Sequence, residues 1–279
     1  MKSIFLCGLS VVVAAGCTGE YTPTPGEENA GVDAGAVGDN ADAAPPVETD
    51  NRVVDGLQLL YRFEGTAGQA EVADVSGVGE PFNLTILDPA AVTWEAEGGM
   101  TITAPTVVQN TGPVTKAIEA CSQSNEITVE LWLKNATIDG EGDQGYVFTS
   151  SQAETANVRN FGIHQDDDNW EFHLRTNQTG NNGANPAAPA VAGTATTEIQ
   201  HVVYTRDALS QTANFYIDTQ KQVPRQIPGT LSNWGLDYGV YLANEPTVQR
   251  PWLGTLYLAA VYCRELSAAE IQQNYAEGY

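Results

Sequence analysis

From Arg52 onward the chain is divided into short segments in which apolar and polar residues alternate with period two. LQLLYRFEG, ITVELWLK, GYVFTSS, NFGIHQ, WEFHLRT, HVVYTRD, ANFYID, GVYLAN and TLYLAAVYC are each strand-length and rich in β-branched or aromatic residues. Gly, Asn, Asp and Pro separate them. Alternate side chains of a strand point to opposite faces, so each segment has a side to bury and a side to expose. One segment alone reads as a helix: Ser267-Ala-Ala-Glu270 is a capping box, Ile271 and Tyr275 lie four apart, and Gly278 closes it. Many strands and one terminal helix predict an all-β sandwich or barrel over residues 52–279.

One hairpin can be drawn residue by residue. With Asp166-Asp167-Asp168-Asn169 as the loop, Ile163 faces Phe172 and Phe161 faces Leu174 on an apolar side. His164 then pairs with Glu171, and His173 lies beside Gly162 with Arg175 near, on a polar side. The three aspartates read as a solvated turn rather than a metal site. In ITVELWLK the same alternation sends Ile127, Val129, Leu131 and Leu133 inward and leaves Glu130, Trp132 and Lys134 outward. An outward tryptophan among polar residues suits sugar stacking, so Glu130, Trp132, His173 and Arg175 are the candidate ligand-binding residues. The alternatives are a partly covered, structural Trp132, or contacts from the long loop Thr176 to Glu198. Trp170, Trp234 and Trp252 read as core or corner aromatics.

The N-terminus is an address rather than structure. Lys2 precedes an apolar stretch from Ile4 to Ala15, too short for the roughly 20 residues of a spanning helix. Ala14-Ala15-Gly16-Cys17 resembles the end of a bacterial lipoprotein signal, which implies cleavage before Cys17 and lipidation of it. An ordinary signal cut at the same small residues is the alternative. Thr18 to Asp50 carries eight acidic residues and no basic one, with little to bury. Residues 1–17 are therefore expected to be a signal and 18–51 a disordered tether, placing the 52–279 domain outside the cytoplasm at the cell envelope. Membrane contact is then through the lipid alone.

Four blocks resemble a known family. LLYRFEGTAGQAEVADVSGVGE looks like the opening strand and D-x-S-G-x-G turn of laminin-G-like, concanavalin-A-like jelly rolls. ITVELWLK resembles their second signature strand, HVVYTRDALSQTANFYID their central hairpin, and PWLGTLYLAAVYCRELSAAEI their closing strand and helix. The resemblance spans residues 57 to 278 in order and implies a two-sheet antiparallel jelly-roll β-sandwich with adjacent first and last strands. It also implies a structural calcium near Asp74, Ser76 and Gly77. Tyr257 stands where the family often has an aspartate for that ion, which leaves a plain turn as the competing reading.

The chemistry of related glucanases needs a strand of the form E-x-D-x-x-E. Glu48-Thr-Asp50 and Glu141-Gly-Asp143 lack the third carboxylate and lie outside strands, and no H-E-x-x-H, P-loop or G-x-S-x-G occurs. No catalytic residue is assigned. Against 35 acidic residues stand 12 Lys and Arg, a net charge of −23, which argues against a nucleic-acid partner. The pattern favours a binding module for a glycan or an envelope or extracellular protein. A structural or adhesive protein without a small ligand is the first alternative, and a degenerate glycoside hydrolase or lyase the second. With Cys7 in the signal and Cys17 lipidated, Cys121 and Cys263 remain, and in an oxidising compartment they are expected to pair. Two buried thiols are the alternative.

Overall fold

The computed structural model describes residues 50–138, 144–155 and 157–279. The expected signal with Cys17, the tether up to Thr49, and Glu141-Gly-Asp143 lie outside these residues. Among the described residues no helix is long and apolar enough to cross a membrane.

The alternating segments form two antiparallel sheets that share one core. The first runs Gln220–Lys221, Thr212–Ile217, Gln200–Arg206, Ile127–Asn135, Gly254–Tyr262, Met100–Ile102 and Val92–Trp94. Leu57–Arg62 pairs with Gly254–Tyr262, so the first and last long strands are neighbours. The second runs Ala188–Pro189, Asn169–Leu174, Arg159–Asp166, Gly145–Ser151, Gly239–Leu242, Val108–Asn110, Leu84–Ile86 and Glu71–Val72. Between the sheets, Val129 and Leu131 of the first share one buried apolar cluster with Ile163, Phe172 and Leu242 of the second. Phe172 stacks on Tyr204 across the interface, their ring centres 3.6 Å apart. This is the two-sheet β-sandwich that the sequence implies.

The drawn hairpin has the expected register: Ile163 opposite Phe172, Phe161 opposite Leu174, His164 opposite Glu171 and His173 opposite Gly162. Its turn is tighter than expected. Asp166 pairs with Asn169, leaving Asp167 and Asp168 as a two-residue loop with Asp167 at φ 51°, a left-handed conformation that aspartate tolerates.

Two features differ from the sequence reading. A helix absent from it, α1 (Thr115–Ser124), packs Ala117, Ile118 and Cys121 into the main core. Val114, at its N-cap, offers no side-chain capping bond, so the usual start signal is missing. The expected C-terminal helix, α2 (Ala268–Glu277), has its capping box between Ser267 and Glu270. It lies on the outer face of the first sheet and closes a second apolar cluster of Leu60, Trp132, Val203, Leu258, Tyr262 and Ile271. Residues 50 and 51, read from sequence as the end of the tether, contact the sandwich. Asp50 pairs with Arg62, and the Asn51 carbonyl accepts a bond from Gln273.

Candidate functional site

The four residues expected to form one groove are divided between the two sheets. Glu130 and Trp132 project from the outer face of the first, whereas His173 projects from the outer face of the second. The outward faces of a sandwich look in opposite directions, so no single ligand can span them. Arg175 turns its guanidinium to the Tyr238 hydroxyl at 2.9 Å.

Outward does not mean exposed for the first pair. Glu130 is fully buried and Trp132 is 8% exposed. Trp132 lies against the rings of His201 and Tyr275, with centres 4.8 and 5.3 Å away. Glu130 accepts from Arg52 Nη1 at 2.6 Å and lies 2.8 Å from His201 Nε2; its other oxygen accepts from Asn274 of α2. Burial would raise the Glu130 carboxyl, but the His201 bond and the Arg52 charge overcome it and hold the group at about 2. These residues fasten the chain entry and α2 to the sheet. The apolar character of both faces of TLYLAAVYC was the available sign of that cover.

An open groove lies beside the covered patch. Its volume is about 680 Å³, and Glu95, Glu97, Thr101, Lys134, Tyr257 and Tyr279 are among its lining residues. The Tyr257 and Tyr279 ring centres are 4.4 Å apart at 38°. Thr101 donates to Glu95 and lies 2.8 Å from Thr255 across the strands. Carboxylates, an ammonium and two aromatic rings therefore converge on one cavity, which no sequence motif announced.

The second sheet carries a smaller cleft of roughly 320 Å³. His173 Nδ1 accepts from Arg159 Nη1 at 2.9 Å, and its Nε2 is 3.1 Å from Glu171. His164 Nε2 also faces Arg159 Nη1, at 3.3 Å. Burial, reinforced by Arg159 and Arg250 and opposed by Glu171, lowers His173 from its ordinary value. For His164, burial and the neighbouring His173, Arg159 and Arg250 all act downward. One donor atom each from His164, Glu171 and His173 lies within 4.8 Å of the others, a set able to chelate a metal. Two imidazoles suit a transition metal rather than calcium, and here both nitrogens face a guanidinium.

The turn expected to hold calcium contains a cation of its own. Lys116 Nζ, reaching down from α1, donates to Asp74 Oδ2 at 2.5 Å, the Val78 carbonyl at 2.6 Å and Ser76 Oγ at 3.3 Å. Asp74 also accepts from the Ser76 and Phe82 amides, each at 3.0 Å. Burial opposes ionisation, yet Lys116 and these amides bring the Asp74 carboxyl below its usual value. Gly77 takes φ 68° in the turn, a left-handed value that favours glycine. Calcium needs six to eight oxygen ligands. In this structure Lys116 occupies the oxygens expected to hold that ion and joins Asp74 in an internal ion pair. Cys121 and Cys263 form a disulfide, tying α1 to the end of the last strand.

No curated protein matches the sequence significantly. The receptor-binding domain of botulinum neurotoxin C/D mosaic serotype is similar in structure, with TM-score 0.57 and 13% identity over 81% of this chain and 52% of that one. The binding domain of botulinum neurotoxin DC in complex with SialylT gives 0.54 and 10%, over 81% and 52%. Trypanosoma rangeli sialidase in complex with 2,3-difluoro-KDN gives 0.54 and 13%, over 79% and 32%. The chain thus spans about half of each toxin domain and about a third of the sialidase. At these identities the likeness establishes a shared fold. Residues 97–272 match the family described as the concanavalin A-like lectin/glucanases superfamily, and with most of the sandwich inside that match, the chain belongs to this superfamily.

Proposed function

We propose that this chain is a binding module, not an enzyme, and that it recognises a glycan through the groove at Tyr257 and Tyr279. The observation that carries the reading is the convergence of two tyrosine rings with Glu95, Glu97 and Lys134 on one open cavity. Sugars present C–H faces that pack on aromatic rings and hydroxyls that bond to carboxylates, amides and ammonium groups. Pockets pairing aromatic surface with a few placed polar groups are of this kind. The recurrence of the fold in toxin receptor-binding domains supports recognition over catalysis. The strand carboxylates Glu130 and Glu171 are each engaged by protein partners rather than presented as an acid and nucleophile pair.

The N-terminal sequence supports the rest of the proposal: a lipid on Cys17, an acidic spacer, and a domain held outside the cytoplasm at the envelope. Replacing Cys17 with Ser should move the protein from the membrane to the soluble fraction; unchanged fractionation would remove the anchor.

Binding of the purified full chain to a broad glycan panel tests the site. Tyr257→Ala should weaken saturable binding about five- to tenfold, while Tyr257→Phe, which keeps the ring, should retain it. Absence of saturable binding across the panel would refute the glycan reading and turn attention to a protein partner.

A further inference from the structure

The chain has 12 basic residues against 35 acidic ones, yet two arginines meet in the cleft on the second sheet. The Arg159 and Arg250 guanidinium carbons lie 4.7 and 5.3 Å from the centre of the same Tyr146 ring. Gathering like charges is unfavourable unless an anion faces them. Glu171 and Glu245 both act electrostatically on Arg159, but among the described residues their hydrogen bonds come from other groups. Glu171 pairs with His173 and accepts from Gln144 at 2.8 Å. Glu245 accepts from the Thr247 and Gln249 amides of its own loop.

Arg250 is held in place rather than loosely exposed. Its amide donates to Asn244 Oδ1 at 3.1 Å and its carbonyl accepts from the Tyr146 amide at 3.1 Å. Nη1 donates to the Tyr146 hydroxyl at 2.9 Å. Among the described residues, Nη2 and Nε have no hydrogen-bond partner, so a donor edge remains for a ligand. Asn157 and Asn182 supply amide groups to the cleft, and among the described residues Ala184 is its one aliphatic lining residue. An apolar peptide side chain would gain little there. A ligand polar on every side, with one charged group, would gain most.

We propose that this cleft is a second binding site, distinct from the Tyr257 and Tyr279 groove, which takes the carboxylate of an acidic monosaccharide unit with Arg250 as its anchor. The guanidinium fork matches a planar carboxylate. Asn157 and Asn182 meet the ring hydroxyls, and the cavity volume suits a single sugar unit.

Glucuronate, galacturonate and N-acetylneuraminate, each paired with its methyl ester, test the site by saturation-transfer NMR and titration on the full chain. Esterification removes the charge and keeps the ring. At least one acid should bind about tenfold or more tightly than its ester, and Arg250→Gln should abolish that preference without lowering the melting temperature. Tyr257→Ala should leave the preference intact, which separates this site from the groove. Equal binding of acid and ester, no binding of any acid, or a preference that survives Arg250→Gln would overturn the proposal.

Discussion

Arg52 and Glu130 stand 78 residues apart in sequence and meet at 2.6 Å, both buried, beneath the C-terminal helix. Around them, the Val53 amide and Glu130 each bond to Asn274, and the Arg52 guanidinium also reaches the Gly278 carbonyl. One carboxylate on a central strand thereby fixes both the point where the chain enters the sandwich and the helix that ends it.

Removing that carboxylate leaves Arg52 buried without its counter-charge, a situation that costs about 3 to 5 kcal/mol. Glu130→Gln should lose stability of this order near neutral pH, read from denaturant unfolding. The folded carboxyl is depressed to about 2 from 4.5, so its contribution is complete above pH 4.5 and is lost as pH falls through 2. The gap between wild type and Glu130→Gln should therefore narrow from about pH 5 downward. A gap that stayed constant across that range would show that the pair is not the source.

The Cys121–Cys263 bridge closes a sequence separation of 142 residues, for which chain entropy gives about 5 kcal/mol. Replacing both cysteines with Ser should lower the melting temperature by roughly 10 to 15 °C. A fall of only a degree or two would mean that α1 is held by its apolar face alone.

Strand positions and sidedness were legible because period two is a direct consequence of backbone geometry. The Phe161 to Leu174 hairpin could be registered from its pattern, and the capping box of α2 from four residues. What covers an outward face was not legible, since alternation reports direction and not exposure; Trp132 and Glu130 point outward and are buried all the same. α1 offered Val114, Ala117, Ile118 and Cys121 at helical spacing, but no cap. The cleft was beyond reach for another reason. Tyr146, Arg159 and Arg250 meet only through pairing of the Gly145–Ser151 and Arg159–Asp166 strands and the return of a distant loop, and no local motif encodes that meeting.

Lys116 makes a prediction opposite to the one implied by family resemblance. With an ammonium bonded to Asp74, Ser76 and Val78, the wild-type melting temperature should not change when millimolar calcium or a chelator is added. Lys116→Met removes the counter-charge of the buried Asp74 carboxylate and should cost about 3 kcal/mol. A wild-type transition that rises with calcium would show that the lysine is not the resident cation.

Trp132 was the sequence's best candidate for a sugar platform, and its setting now assigns it to packing. The ring is enclosed by His201 and Tyr275 and touches Tyr279, the residue that borders the open groove. Trp132→Ala should cost about 3 to 5 kcal/mol, and Trp132→Phe, which keeps a ring against α2, should cost much less. Ligand affinity should follow stability in this pair, because the tryptophan acts on the groove only by supporting Tyr279. Lost binding in Trp132→Ala at unchanged stability would place the ring in contact with ligand, and the cover formed by α2 would then have to open in solution.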